Sequence, residues 1–389
     1  MSENPFLLAG GGIAGLAASL GLAASGRRVR LFEQASAFEE VGAGLQMSPN
    51  AVSALRALGA WDAIEPHCVV PTEIHVRDGV TGSLLQRIRL GKNFENKFGA
   101  PYRVAHRADL LAALLSVAKT TRGISLHTTS RVSGARSTGV GAVLQLANGE
   151  EPAGAAVIGA DGIHSAVRMS ALGGAAPQPR GHTLYRALLP FDAVPPAIAA
   201  DAVTLWLLPG AHAVHYPVSA WRQFNVVLAV EQQWPDAGWS APATPAEVDP
   251  HFDAACDALT ELIAKPLTWL KWCGASLDPL PTWQSGNVLV VGDAAHAALP
   301  YLAQGAAMAL EDAVVLGDCL SRSNLVAEAL TDFESRRRPR CSRIQAQSLA
   351  LGQTYHAGGV RRLARNLALR AMTPAGFLNR LHWIYDWRP

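Results

Sequence analysis

The stretch Gly10-Gly11-Gly12-Ile13-Ala14-Gly15 constrains this chain more than any other. It stands between Phe6-Leu-Leu-Ala9, an apolar run that reads as a buried strand, and Ile13 to Ala24, an alanine- and leucine-rich run that reads as a helix. A second strand, Val29-Arg-Leu-Phe-Glu33, follows. Strand, glycine turn, helix and strand form a βαβ unit, whose parallel strands need cover on both faces. Within G-x-G-x-x-G, Gly10 makes the tight turn, Gly12 lets a pyrophosphate approach, and Gly15 packs the helix on the strand. The helix start offers free N–H groups and a positive dipole end to phosphates. Gly10, Gly12, Ala14 and Gly15 are therefore candidate cofactor contacts, and Glu33 is placed to bind a ribose 2′-hydroxyl. An acid there disfavours a 2′-phosphate, so the loop suits FAD or NAD rather than NADP.

The same apolar stretch, Leu7 to Ala24, imitates a signal peptide or membrane helix. It lacks a basic leading segment, and glycines at 10, 11, 12 and 15 would break a lipid-facing helix start. With no other candidate span, a soluble cytoplasmic protein is expected. An apolar fraction of 49% and a charged fraction of 16% over 389 residues imply a well-buried globular chain of two lobes around a shared site. A net charge of +2 argues against nucleic acid or an acidic membrane as partners. The dense run Arg336-Arg337-Arg338-Pro339-Arg340 reads as a solvated helix face or a subunit contact. Cys68, Cys256, Cys273, Cys319 and Cys341 show no C-x-x-C spacing, and the histidines are dispersed. Reduced thiols and no metal site are expected.

Farther on, Pro49 to Leu58 reads as a helix capped by Ser48, and Arg107 to Ala118 as another. Thr72–Arg77 and Leu84–Leu90 alternate as antiparallel strands do, and Leu184 to Val230 is rich in hairpins. Val157-Ile-Gly-Ala160 and Val288-Leu-Val-Val291 revert to buried, parallel-type strands, and the chain from Gln304 onward is mostly helical. The proline- and alanine-rich stretch Trp234–Pro250 reads as a mobile surface loop.

Two of the buried strands lead into further motifs, Gly159-Ala-Asp161-Gly162-Ile-His-Ser165-Ala-Val-Arg168 and Gly292-Asp293-Ala-Ala-His296. With the glycine loop they make three fingerprints in the order found in the flavoprotein aromatic hydroxylases, which the chain resembles from end to end. The resemblance implies an α/β fold: a Rossmann-like FAD-binding domain interrupted by an antiparallel-sheet, α+β substrate lobe, with helices at the C-terminus. Its segments would be 1–70, 106–180 and 281–350 for FAD, 71–105 and 181–280 for substrate, and 351–389 for the final helices. It implies FAD as cofactor and NAD(P)H as a transient cosubstrate. Asp293 would meet the ribityl hydroxyls. The helix starting at Gln304-Gly305-Ala306 would aim its dipole at the flavin pyrimidine. Arg107 would lie near the FAD phosphates, Asp161 and Arg168 would organise the D-G turn, and Gln46 would reach both flavin and substrate. No second glycine fingerprint builds a nicotinamide domain, so NAD(P)H must visit a groove shared with FAD.

On the substrate side, His212 and Tyr216 share one face of an expected strand, while His215 points away. Within the family this pair matches enzymes acting on 3-hydroxybenzoate or 6-hydroxynicotinate. A flavin C4a-hydroperoxide delivers electrophilic oxygen, and a phenolate ring is the better nucleophile. A histidine base suits that chemistry, with Tyr216 orienting the ring. Gln46 and Tyr301 complete the expected substrate contacts, and His296 is expected to pack near the flavin without a catalytic role. Gly42-Ala-Gly-Leu-Gln-Met47, the tail from Tyr355 to Asn366 and the ending Trp383–Trp387 look like the 3-hydroxybenzoate 6-hydroxylase branch. Pro300 stands where that branch often carries glutamine, as in salicylate hydroxylases. Gln46 and Tyr301 replace the histidines of 6-hydroxynicotinate enzymes. Hydroxylation of 3-hydroxybenzoate is thus the leading expectation, with salicylate or a hydroxypyridine carboxylate behind it. An FAD oxidase or dehydrogenase, and a flavin-binding regulator without turnover, are the readings from other classes. The apolar helical C-terminus is compatible with a homodimer contact.

Overall fold

The computed structural model describes residues 4–39 and 43–389, so Gly42 lies outside the described residues. Its organising element is a six-stranded sheet in the order Gln284–Ser285, Val288–Val290, Ala156–Gly159, Phe6–Ala9, Val29–Phe32, Ile124–His127. All pairings are parallel except that of Gln284–Ser285. Parallel strands share one direction, so the segments after Ala9, Phe32, Gly159 and Val290 all emerge at the same carboxyl edge. The three fingerprints and Glu33, scattered over 290 residues of chain, therefore meet along one line.

The first helix, packed on this sheet, is crossed by a second in backbone contact. A Cβ on Gly21 would fall 2.0 Å from the Ala313 carbonyl oxygen, and one on Gly317 would fall 2.5 Å from that of Gly21. Glycine at these points lets Ile13–Ala24 and Gly305–Arg322 cross without a side chain between them.

A second, eight-stranded sheet joins the two interrupting segments. Its order is Ser240–Ala243, Trp269–Ser276, Gln178–Pro190, Gln223–Glu231, Ala211–Val218, Ala202–Leu208, Glu73–Asp78, Leu84–Arg89. The sheet is not wholly antiparallel as expected: Ala202–Leu208 runs parallel to Glu73–Asp78. That pairing is where the separate insertions meet, and no hairpin constrains their relative direction. The parallel sheet, the second sheet and the C-terminal helices Val326–Tyr355, Gly359–Ala371 and Pro374–Tyr385 make up the expected α/β architecture. Among the described residues no helix is long and apolar enough to cross a membrane.

Three local expectations are corrected. Trp234–Pro250 is not a free loop. Ser240–Ala243 joins the sheet edge, and Lys271 holds Asp236 and Glu247 at 3.0 and 2.7 Å. Ser48 stands at the start of helix Pro49–Ala57, yet its hydroxyl caps nothing; it donates to Asn50 Oδ1 at 2.6 Å and accepts from Gln304 Nε2. The arginine run is only partly a solvated face. Arg337 is 1% exposed and binds Glu311 and Asp312 at 2.6 and 2.7 Å, and Arg340 binds Glu311 and the Trp383 and Ile384 carbonyls. A helix buried on one side buries whichever arginines fall there, and each needs an acid partner.

Candidate active site

At the carboxyl edge of the parallel sheet the chain is stripped of side chains. Gly10 has φ +98°, and a Cβ there would lie 2.4 Å from the Ala160 carbonyl oxygen; one on Gly15 would lie 1.9 Å from that of Gly10. Only glycine fits either position. Above Gly12 and Gly305, by contrast, a Cβ would meet nothing within 4 Å. Both glycines stand at the start of helices whose caps, Gly12 and Gln304, make no side-chain cap hydrogen bond. Two helix N-termini with free N–H groups and open space above them suit the phosphates and reducible ring of a flavin dinucleotide. Glu33 ends its strand and accepts from Gly11 N–H at 2.6 Å and Ala35 N–H at 2.8 Å, which fixes the carboxylate beside the loop. Ala14 packs against Gly292, where a Cβ would come within 2.6 Å of Ala14 Cβ. Asp293, next in chain, is exposed at this edge, as is Gly305, while Ala306 is half-buried. Arg107 opens helix Arg107–Thr120, its N–H held by the Ala43 carbonyl at 2.8 Å.

Asp161 and Arg168 turn inward. Asp161 accepts from Ser165 Oγ at 2.5 Å and Val167 N–H at 3.1 Å; burial raises its carboxyl and these bonds work against the rise. Arg168, fully buried, donates to the Ala294 and Ile163 carbonyls at 2.9 and 2.6 Å, tying the D-G turn to the G-D turn.

Beneath the helix Gly305–Arg322 lies a network the motifs do not announce. Asn50 Nδ2 donates to Gln304 Oε1 and Glu311 Oε1, Arg337 bridges Glu311 and Asp312, and Asp312 accepts from Gly292 N–H at 3.0 Å. His296 Nε2 lies 2.6 Å from Asp312 Oδ2, wholly buried. Burial alone would lower this imidazole, but the thiol of Cys341 and the Asp312 charge raise it well above the usual range. Burial pushes Asp312 up in turn, and the His296 and Arg337 charges outweigh it and hold the carboxyl at about 2. His296 thus locks the G-D turn to the helix Gly305–Arg322.

The second sheet and the C-terminal helices enclose a cavity of about 650 Å³. Gln46, Tyr102, His212, Tyr301 and Tyr355 line it among aliphatic side chains, and Arg343 and Arg380 are the cations on its wall. His212 is 4% exposed, with Tyr301 edge-on at 4.8 Å and Tyr355 at 5.3 Å. Burial, then the neighbouring His356 and His182, lowers His212 well below the ordinary imidazole value. Tyr301 contributes its ring; its hydroxyl is buried without a hydrogen-bond partner among the described residues. The structure separates the expected pair. Tyr216 shares the His212 strand face but sits one step behind the wall, against Gly44 and Asn225, and touches the cavity through Gln46. Gln46 itself accepts from Tyr102 Oη at 2.5 Å. His215 faces the opposite side, tilted against Phe224 at 5.2 Å.

His356, Glu231, His182 and Tyr102 received no role from sequence reasoning, although the tail containing His356 carries part of the family resemblance. The histidines are dispersed only along the chain: His182, His212 and His356 gather at one end of this cavity, with His356 between the other two at ring distances of 5.3 and 5.0 Å.

A phosphate-ready glycine edge and a buried, histidine-bearing cavity beside the second helix start fit an FAD-binding enzyme with a small-molecule substrate. The chain belongs to the FAD binding domain family, whose profile matches residues 3–348, and within it to the flavoprotein hydroxylases. It is 37% identical to the 3-hydroxybenzoate 6-hydroxylase of Polaromonas naphthalenivorans over 100% of this chain and 98% of that protein. To the Klebsiella oxytoca enzyme of the same name it is 35% identical, over 98% and 96%. Among solved structures, a salicylate hydroxylase substrate complex superposes with a TM-score of 0.83 at 28% identity, over 99% of this chain and 96% of that one. A Klebsiella pneumoniae HpxO complex with FAD and uric acid gives 0.87 at 24%, over 98% and 96%, a likeness of fold.

Proposed function

We propose that this FAD enzyme hydroxylates a small phenolic acid at the expense of NAD(P)H and O2, with 3-hydroxybenzoate hydroxylated at position 6 as the leading substrate. The observation that carries the reading is His212: a neutral, buried imidazole on the wall of an aromatic-lined cavity that adjoins the flavin edge. When bound, FAD would collect electrons from NAD(P)H and present activated oxygen to the substrate ring. Gly10, Gly12, Ala14, Gly15, Glu33, Gln46, Arg107, Asp293, Gly305 and Ala306 are assigned to its binding, with Asp161 shaping the D-G turn beside it.

The chain's own part is to hold the ring and move its proton. With Nδ1 engaged by His356, His212 has Nε2 left for the substrate hydroxyl. Removing that proton makes the ring electron-rich enough to attack an electrophilic oxygen. Arg343 or Arg380 supplies the charge for a substrate carboxylate, and the aliphatic wall excludes the water that would otherwise waste the oxidant. Tyr301 and Tyr355 flank the imidazole, and Tyr216 positions Gln46.

Salicylate is the second reading, favoured by Pro300 in place of the glutamine common in the 3-hydroxybenzoate branch. The test follows NADH oxidation, oxygen uptake and product mass with 3-hydroxybenzoate, salicylate, 4-hydroxybenzoate and 6-hydroxynicotinate. One oxygen gained by one of these, coupled to NADH, supports the assignment and names the substrate. Flavin reduction by an aromatic acid in the absence of NADH would refute it in favour of an oxidase.

A further inference from the structure

The base on the cavity wall is not isolated. His212 Nδ1 lies 2.7 Å from His356 Nε2, and His356 Nδ1 lies 3.1 Å from Glu231 Oε1. The first two groups are 4% and 5% exposed, while the Glu231 side chain is 51% exposed. Three elements of distant sequence supply them: the strand Ala211–Val218, the end of helix Val326–Tyr355, and the end of strand Gln223–Glu231. One turn pins all three. Gly210 N–H donates to the His356 carbonyl at 2.9 Å, and the Gly210 carbonyl accepts from Glu231 N–H at 2.8 Å.

We propose that His356 and Glu231 form a proton exit, carrying to solvent the proton that His212 takes from the substrate. This rests on the reading of His212 as the base. A carboxylate only accepts, so His356 keeps its proton on Nδ1 and offers Nε2 to His212, whose own proton is then on Nδ1. The substrate O–H bond breaks as an N–H bond forms at His212 Nε2. The His212 Nδ1 proton passes to His356 Nε2, the His356 Nδ1 proton passes to Glu231, and Glu231 delivers it to water. The net change is a phenolate in the cavity and one proton in solvent. When the product oxygen regains a proton, the path runs backwards and both rings return to their starting form.

The surroundings explain why an exit is needed. The groups facing the pair are His182, Tyr301, Tyr355, Arg365 and Glu231. Arg365 is a fixed cation, and burial together with neighbouring positive charge disfavours an imidazolium at either histidine. A proton parked on His212 would therefore hold the substrate close to its neutral form. Glu231 is the sole acid in this set and its most exposed member.

Two measurements on the FAD-loaded enzyme test the relay, with Glu231→Gln as the principal variant because its side chain is half in solvent, and His356→Ala as the second. Nitrogen-15 NMR of histidine-labelled resting enzyme should find both rings in the Nδ1–H form, with scalar coupling between His212 Nδ1 and His356 Nε2. Stopped-flow mixing with 3-hydroxybenzoate and a pH indicator should show proton release and phenolate absorbance slowed about tenfold or more in both variants. An Nε2–H tautomer on either ring, or wild-type rates of release in Glu231→Gln, overturns the relay. If the wild-type enzyme forms no phenolate from any hydroxybenzoate, the functional reading falls instead, and the tautomer measurement still decides the relay.

Discussion

His215 makes one contribution to how this protein responds to acid. It lies on the far side of the sheet from the cavity, 1% exposed, with neither ring nitrogen hydrogen-bonded among the described residues. Burial first, then the charges of Arg77 and His75, brings its pKa from 6.5 to about 3. The sign follows from which state binds the proton. Below about pH 6.5 the unfolded chain takes it up and the native state does not, so stability falls as pH falls. One such histidine costs nothing near pH 7.5 and about 1.4 kcal/mol at pH 5.5, with a limiting slope of about 1.4 kcal/mol per pH unit. His212 and His356 are lowered in the same direction and add to this loss, whereas His296, held above the ordinary imidazole range, acts against it. Urea unfolding at fixed, saturating FAD, at pH 7.5, 6.5 and 5.5, measures this. His215→Phe should keep the contact with Phe224, raise stability at every pH by removing unsatisfied buried nitrogens, and remove about 1.4 kcal/mol of the loss between pH 7.5 and 5.5. A pH dependence of stability left unchanged by His215→Phe would refute the reasoning.

Removal of the imidazole in His212→Ala should lower coupled hydroxylation by roughly 10²- to 10⁴-fold and divert NADH oxidation to hydrogen peroxide, read as the ratio of product to NADH consumed. Because His212 is held neutral, kcat/KM should show no loss from its protonation between pH 8 and 6, where an ordinary imidazole would half-titrate. Gly12→Val fills open space rather than a packed contact, so the apoprotein should fold while FAD affinity drops about a hundredfold or more, some 2.7 kcal/mol, by fluorescence titration. Arg337→Met leaves Glu311 with Arg340 and Asp312 with His296, so the loss should fall near the low end for a broken buried pair, about 3 kcal/mol in urea unfolding, with faster FAD release.

What could be read from residues alone was local. Gly10 and Gly15 announce a phosphate loop because neither can carry a Cβ within a six-residue turn, Gly12 leaves the helix start open, and Glu33 follows at the end of the next strand. The G-D and D-G turns were legible for the same reason, and parallel pairing then places all of them on one edge without further information. The strand alternation that separates His212 from His215 is likewise a property of the local backbone. Cross-chain neighbours were not legible. His212 meets His356 across 144 residues, and His356 meets Glu231 across 125. Nothing near any of the three signals the others. Arg337 read as a surface cation because charge runs usually face water; its burial depends on Glu311 and Asp312 arriving from another helix. Tyr216 shared a strand face with His212, but its place behind Gln46 depended on the segment around Gly44 packing across it. Motifs report what one stretch of backbone must do, whereas proton paths and buried ion pairs exist only between stretches that the fold brings together.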